Sequence, residues 1–131
     1  MENKYVKKAK DFRAATNPHY NCAQAVLVVF ADECGISEEK AFQMGAQFGH
    51  GMNMGATCGA MTGSLMVIGM LGGGREEAHS FMTAMRQRHD NLTDCKDLLR
   101  VNAEKGGSRQ EHCDNMVFEA VEEVTKVMHL D

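Results

Sequence analysis

The stretch SRQEHCDNMVFEAVEEVTKVM, residues 108–128, decides the fold class. Val117, Ala120, Val121, Val124, Val127 and Met128 recur at steps of three and four. That spacing gathers apolar side chains on one face of an α-helix. Ser108 precedes the stripe and Glu111 follows three residues later. This is the pattern of a capping box, in which a hydroxyl and a carboxylate each satisfy a free N–H at the helix start. A long amphipathic helix is expected here.

The same reading extends outward toward the start of the chain. Gly106-Gly107 separates the last helix from a short one capped by Thr93 and running through Val101. Before it come a polar helix from Glu76 to His89 and an apolar helix from about Ala56 to Met70, closed by Gly72-Gly73-Gly74. The stretch Gly49 to Gly55 breaks the periodicity and reads as a loop. Ser37 caps a helix reaching about Phe48, with Glu38 and Glu39 placed where the helix dipole favours acids. Asn21 caps another through Glu33, stopped by Gly35. A basic amphipathic helix, Tyr5 to Ala15, ends ahead of Asn17-Pro18, since a residue before proline avoids the helical region. No repeat, low-complexity tract or long linker divides the chain. The expectation is an all-α bundle of six to seven helices, one domain over residues 1–131.

Composition narrows the function. The 131 residues carry 14 Lys+Arg against 18 Asp+Glu, a net charge of −4, which argues against nucleic acid as a partner. The longest early apolar run, Ala25 to Ala31, is far short of a bilayer span, so no membrane partner is expected. Met1 to Lys10 hold no apolar segment of the secretory kind, and a cytoplasmic location is expected. In that compartment the 5 cysteines read as thiols, metal ligands or redox centres rather than structural disulfides. No CxxC, CxxCH or HExxH spacing occurs, which sets aside thioredoxin-type, covalent-haem and zincin chemistry. The glycine loop lacks the lysine of a phosphate-binding loop.

Four of the cysteines share the inward phase of their helices. Cys113 lies four residues before Val117 and eight before Val121. Cys95 precedes Leu98 and Leu99, Cys22 precedes Ala25, Val26 and Val29, and Cys58 precedes Met61 and Leu65, all at helical steps. Cys22, Cys58 and Cys95 also fall at helix starts, where free N–H groups stabilise a thiolate, so lowered thiol pKa values are expected. Cys34 sits at a helix end beside Glu33, where dipole and acid oppose a thiolate, and reads as a packing residue. Simple core packing is the plain alternative for every one of these thiols.

Gly55, Gly59 and Gly63 recur every four residues along the helix that carries Cys58. Glycine inside a helix costs up to about 1 kcal/mol against alanine, so something must approach that backbone closely. The candidates are a neighbouring helix, a second copy of the chain in a homo-oligomer, or a cofactor lying against Gly55 and Gly59. His50, in the glycine loop, and His112, beside Cys113, are candidate ligands or proton carriers. His79, His89 and His129 read as solvated.

The segments Asn21-Cys22-Ala23-Gln24-Ala25-Val26, Cys58-Gly59-Ala60-Met61-Thr62-Gly63, Cys95-Lys96-Asp97-Leu98-Leu99 and the final Cys113 together resemble the small redox-active proteins named for the pattern C…GCAxxG…C…C. The resemblance runs from about Asn17 to Val124. It implies a helical bacterial or archaeal protein with four hallmark cysteines and an unnamed redox partner. A related domain resembles the iron–sulfur part of split-Soret cytochrome c, which implies a cluster held at these positions. The chain departs from the pattern in its extra Cys34. It departs also in Gly51-Met52-Asn53-Met54, where relatives often carry a basic residue.

Three chemistries stay open. Cys22, Cys58, Cys95 and Cys113 are the expected ligands of an iron–sulfur cluster in an electron-transfer protein. The same four are the redox-active thiols if the protein runs metal-free thiol–disulfide exchange. A non-catalytic module with structural zinc is the third reading, although paired short spacings typical of zinc are missing.

Overall fold

The most apolar part of the chain becomes its centre. The structure is a computed structural model describing residues 3–130, so residues 1, 2 and 131 of the expected domain lie outside the described residues. The element order is α1 (Lys4–Ala14), α2 (Cys22–Val29), α3 (Ala31–Cys34), α4 (Glu38–Gly45), a π-type turn at Gly51–Gly55, α5 (Gly59–Met70), α6 (Arg75–Arg88), α7 (Cys95–Glu104) and α8 (Arg109–Val127). No strand occurs among the described residues, and the fold is all-α. None of these helices is long and apolar enough to cross a membrane.

From Ala25 onward helix α2 is apolar on every face and is buried on every face, as such a helix must be. Ala23 and every residue from Ala25 to Val29 have no exposed surface. Around it pack α1, α4, α5 and α8, which contribute Ala9, Ala41, Met61, Val67, Val117 and Val121 to the core. Glycines permit the closest of these approaches, Gly45 of α4 and Gly59 and Gly63 of α5. A Cβ on Gly59 would lie 2.7 Å from the Phe48 carbonyl oxygen and 3.2 Å from the Ala23 nitrogen. One on Gly63 would lie 3.1 Å from the Ala23 carbonyl oxygen. The close partner of Gly59 and Gly63 is therefore α2 of the same chain.

Helix α4 stops at Gly45 rather than about Phe48 and α5 starts at Gly59 rather than about Ala56, and two further boundaries move for tertiary reasons. Phe30 leaves helical geometry at φ −104° and ψ 11°, so the helix expected through Glu33 divides into α2 and α3 and the count exceeds seven. The final stop is as expected, at Gly35 with φ 73°. Helix α7 starts after Asp94 rather than Thr93, because Thr57 and Asp94 form an isolated antiparallel bridge that holds this stretch extended. Caps also differ in detail. Ser108 accepts from the Glu111 N–H at 3.1 Å, one half of the expected box. The complete box is at Asn21, where Oδ1 accepts from the Gln24 N–H at 2.8 Å and Gln24 Oε1 accepts from the Asn21 N–H at 2.9 Å.

Candidate functional site

Hydrogen bonds to the backbone, from caps and from main chain, fix where the cysteines stand. The Asn21 box pins the first residue of α2, Cys22. Asn21 Nδ2 also donates to the carbonyls of Gly45 and Ala46, and Gln24 Nε2 to that of Phe42, tying this end of α2 to α4. Cys58 immediately precedes α5 and Cys95 opens α7. The bridge between them is reciprocal: the Cys58 N–H donates to the Thr93 carbonyl at 2.9 Å and the Cys95 N–H to the Ala56 carbonyl at 2.7 Å. Cys113 sits in the second turn of α8.

All four of these cysteines line one cavity of about 570 Å³. Cys58 and Cys95 are buried, Cys22 and Cys113 half-buried, and none of the chain's cysteines is in a disulfide. Gly59 lines the same cavity, whereas Gly55 stands apart from it. At Gly55 a φ of 71° and the Lys96 side chain, 3.1 Å from where a Cβ would be, account for the glycine. Cys34 also lies outside the cavity, packed at the edge of the core, and burial and Glu33 push its thiol up.

Two arginines join the thiols without having been singled out in the sequence. Arg13 is 6% exposed; its Nε donates to Asp114 Oδ1 at 2.8 Å and its Nη1 to the Tyr20 carbonyl at 2.7 Å. A charge buried this far needs such a partner. Arg109 stands one helical turn before Cys113 and donates through Nη2 to His50 Nδ1 at 2.9 Å. Because a guanidinium only donates, Nδ1 accepts and the His50 ring proton falls on Nε2. Cys95 Sγ lies 3.8 Å from the same nitrogen. Their signals were present: Tyr5, Ala9 and Arg13 are spaced by four and all three are buried. Arg109 precedes Cys113 by four.

The four thiols differ sharply in acidity, and the expected lowering at helix starts is corrected. Burial pushes Cys58 up to about 11, with the Ala60 and Met61 N–H groups offsetting only part of it. Cys95 is raised by burial and by the neighbouring Cys113. Cys22 is raised well above the usual range, first because its thiol donates to Cys113 and then by burial. Cys113 alone is lowered, to about 6, first because it accepts that hydrogen bond from Cys22; burial opposes the shift, and Arg13 and Arg109 add to it. Desolvation of a half-buried or buried sulfur exceeds what one helix terminus returns; a partner thiol and two cations reverse it.

Of the histidines, His50 and His112 line the cavity, as does His19. Burial and the nearby His89 hold His112 below the usual imidazole range. His89, expected to be solvated, is half-buried and pairs with Glu119 at 2.6 Å.

The donor set is chemically suited to an iron–sulfur cluster, since four thiols face one space. Single-ion geometry is another matter. A tetrahedral zinc needs its sulfurs about 2.3 Å from one point. Among the described residues no group of three or more His, Cys, Asp or Glu converges to hold a metal ion. A cluster, whose irons are spread apart, does not require its ligands to meet at one point.

No curated protein and no solved structure matches the chain. A family model does, over residues 20–127, a span holding all four cavity cysteines. The chain belongs to that family, described as "Putative redox-active protein (C_GCAxxG_C_C)".

Proposed function

We propose that this protein carries out thiol–disulfide exchange with Cys113 as the attacking thiolate and Cys22 as the resolving thiol. The observation that carries the reading is the pairing of these two half-buried thiols on the wall of a cavity that also holds Arg13 and Arg109. An attacking thiol works best when its pKa lies near the ambient pH, and Cys113 meets that condition while its partner stays protonated.

The exchange balances as follows. The Cys113 thiolate attacks a disulfide R–S–S–R′, forming Cys113–S–S–R and releasing R′–S⁻. Cys22 then attacks the Cys113 sulfur, forming the Cys22–Cys113 disulfide. The Cys22 proton leaves with the second product as R–SH. Two electrons pass to the substrate, and an external dithiol restores the reduced pair.

The trapping experiment is direct. With 2-hydroxyethyl disulfide as substrate, Cys113→Ala should form no mixed disulfide in the cavity, and Cys22→Ala should accumulate one on Cys113. Equal reaction at Cys22, Cys58 and Cys95 would contradict the assignment.

One observation favours a second reading. A two-thiol exchange leaves Cys58 and Cys95 without a role, although both line the same cavity. An iron–sulfur cluster held by Cys22, Cys58, Cys95 and Cys113 would use all four, and a bound cluster would supply one-electron transfer. Anaerobic purification followed by iron and acid-labile sulfide assays separates the two: stoichiometric iron and sulfide would favour the cluster, and colourless protein with reactive thiols the exchange.

A further inference from the structure

We infer that the disulfide accepted by this cavity is a small anionic one, whose carboxylate is held by Arg109 while its sulfur meets Cys113. This rests on the thiol-exchange reading and adds the substrate class. In a chain of net charge −4, the cavity lining contains two arginines and three histidines but no aspartate or glutamate. Arg13 is already answered by Asp114. Arg109 has no carboxylate partner among the described residues; its hydrogen bond goes to a neutral acceptor, His50 Nδ1, which leaves the charge in place.

The reaction points the same way. Arg109 stands one helical turn before Cys113 on α8 and lines the same cavity. An attacking thiolate loses its charge on bonding to the substrate sulfur, and a carboxylate on the incoming half then stands opposite Arg109 and stabilises the mixed disulfide. Leu98, Leu99 and Met116 give the cavity an apolar side against which short methylene groups pack. Its volume of about 570 Å³ falls within the range typical of small-molecule sites. The disulfide is itself the oxidant, and the step is the one balanced above.

Three disulfides of matched shape test this: 3,3′-dithiodipropionate (anionic), 2-hydroxyethyl disulfide (neutral) and cystamine (cationic). The rate at which the free Cys113 thiol is consumed is followed by mass spectrometry and divided by the rate of the same reagent with 2-mercaptoethanol. The wild-type chain is expected to prefer the carboxylate over the ammonium reagent by about tenfold, shrinking at high salt. Arg109→Gln should collapse that ratio toward one, and Arg109→Lys should keep most of it. Because Arg109 is exposed at the start of α8, neither change threatens the fold. Reaction with all three reagents at equal normalised rates overturns the anionic substrate and leaves the exchange reading standing. Failure of Cys113 to react with any of them overturns both.

Discussion

Cys58 and Cys95 are held together by their backbones: each donates its N–H across the Thr57–Asp94 bridge, to Thr93 and Ala56 respectively. Cys22 and Cys113 are held differently, by the capped start of α2 and by the second turn of α8. The cavity therefore contains two pairs with different freedoms. The first is buried and fixed by main chain; the second is half-buried and free to change its sulfur chemistry.

Alkylation should separate the four thiols by pH. Cys113 is expected to react with iodoacetamide with a midpoint at about 6, and Cys58 only toward about 11. Cys22→Ala removes the donor that lowers Cys113 and should move the Cys113 midpoint upward. Peptide mapping of partially labelled protein reads both. A single common midpoint for all cysteines would contradict the assigned acidities.

The same shift makes a prediction about stability. A Cys113 thiol lowered to about 6 when folded binds fewer protons than the unfolded chain between that pH and the ordinary thiol value of 9.0. Its contribution is thus fully present above the unfolded value and lost as pH falls through the folded one. Urea denaturation of the wild type and Cys113→Ala should show a difference that grows from pH 6 toward pH 9. A pH-independent difference would remove the linkage.

Two glycines of one helix should respond with opposite sign. Gly59→Ala forces a Cβ against the Phe48 carbonyl and the Ala23 backbone and should destabilise by about 2 kcal/mol. At Gly69 a Cβ would meet nothing within 4 Å, so Gly69→Ala should stabilise by about 0.5–1 kcal/mol through helix propensity. Thermal or urea melts of the two variants measure this.

Arg13 ties the site to the fold. Arg13→Met removes the cation beside Asp114, which keeps only its hydrogen bond from Gln110, and should cost about 2–3 kcal/mol, less than a fully buried pair because Asp114 retains some solvent. It should also raise the Cys113 alkylation midpoint, since the Arg13 charge is among the causes of the low value. Adding Asp114→Asn should recover part of the stability but none of the midpoint shift.

Much of the architecture was legible in local chemistry. Ser37, Asn21, Gly35 and Pro18 each carry a start or stop signal that needs nothing distant. The break at Phe30 was not legible, because residues 25–31 are apolar throughout and give no phase from which an interruption could be read. Nor was the start of α7, which depends on Thr57, far away in the chain. The inward phase of four cysteines was readable from steps of three and four, and all four line one cavity, but the order of their acidities was not readable. That order depends on burial and on Cys22 meeting Cys113 across most of the chain. Arg13 was readable from its spacing to Tyr5 and Ala9, yet the basic character of α1 suggests a solvated face.

The most direct test of the account is oxidation of the purified, fully reduced chain with one equivalent of 2-hydroxyethyl disulfide, followed by thiol counting and peptide mapping. The predicted result is the loss of two of the 5 free thiols and a single cross-linked peptide pair joining Cys22 to Cys113. An unchanged thiol count, or a cross-link joining Cys58 to Cys95 instead, would contradict it.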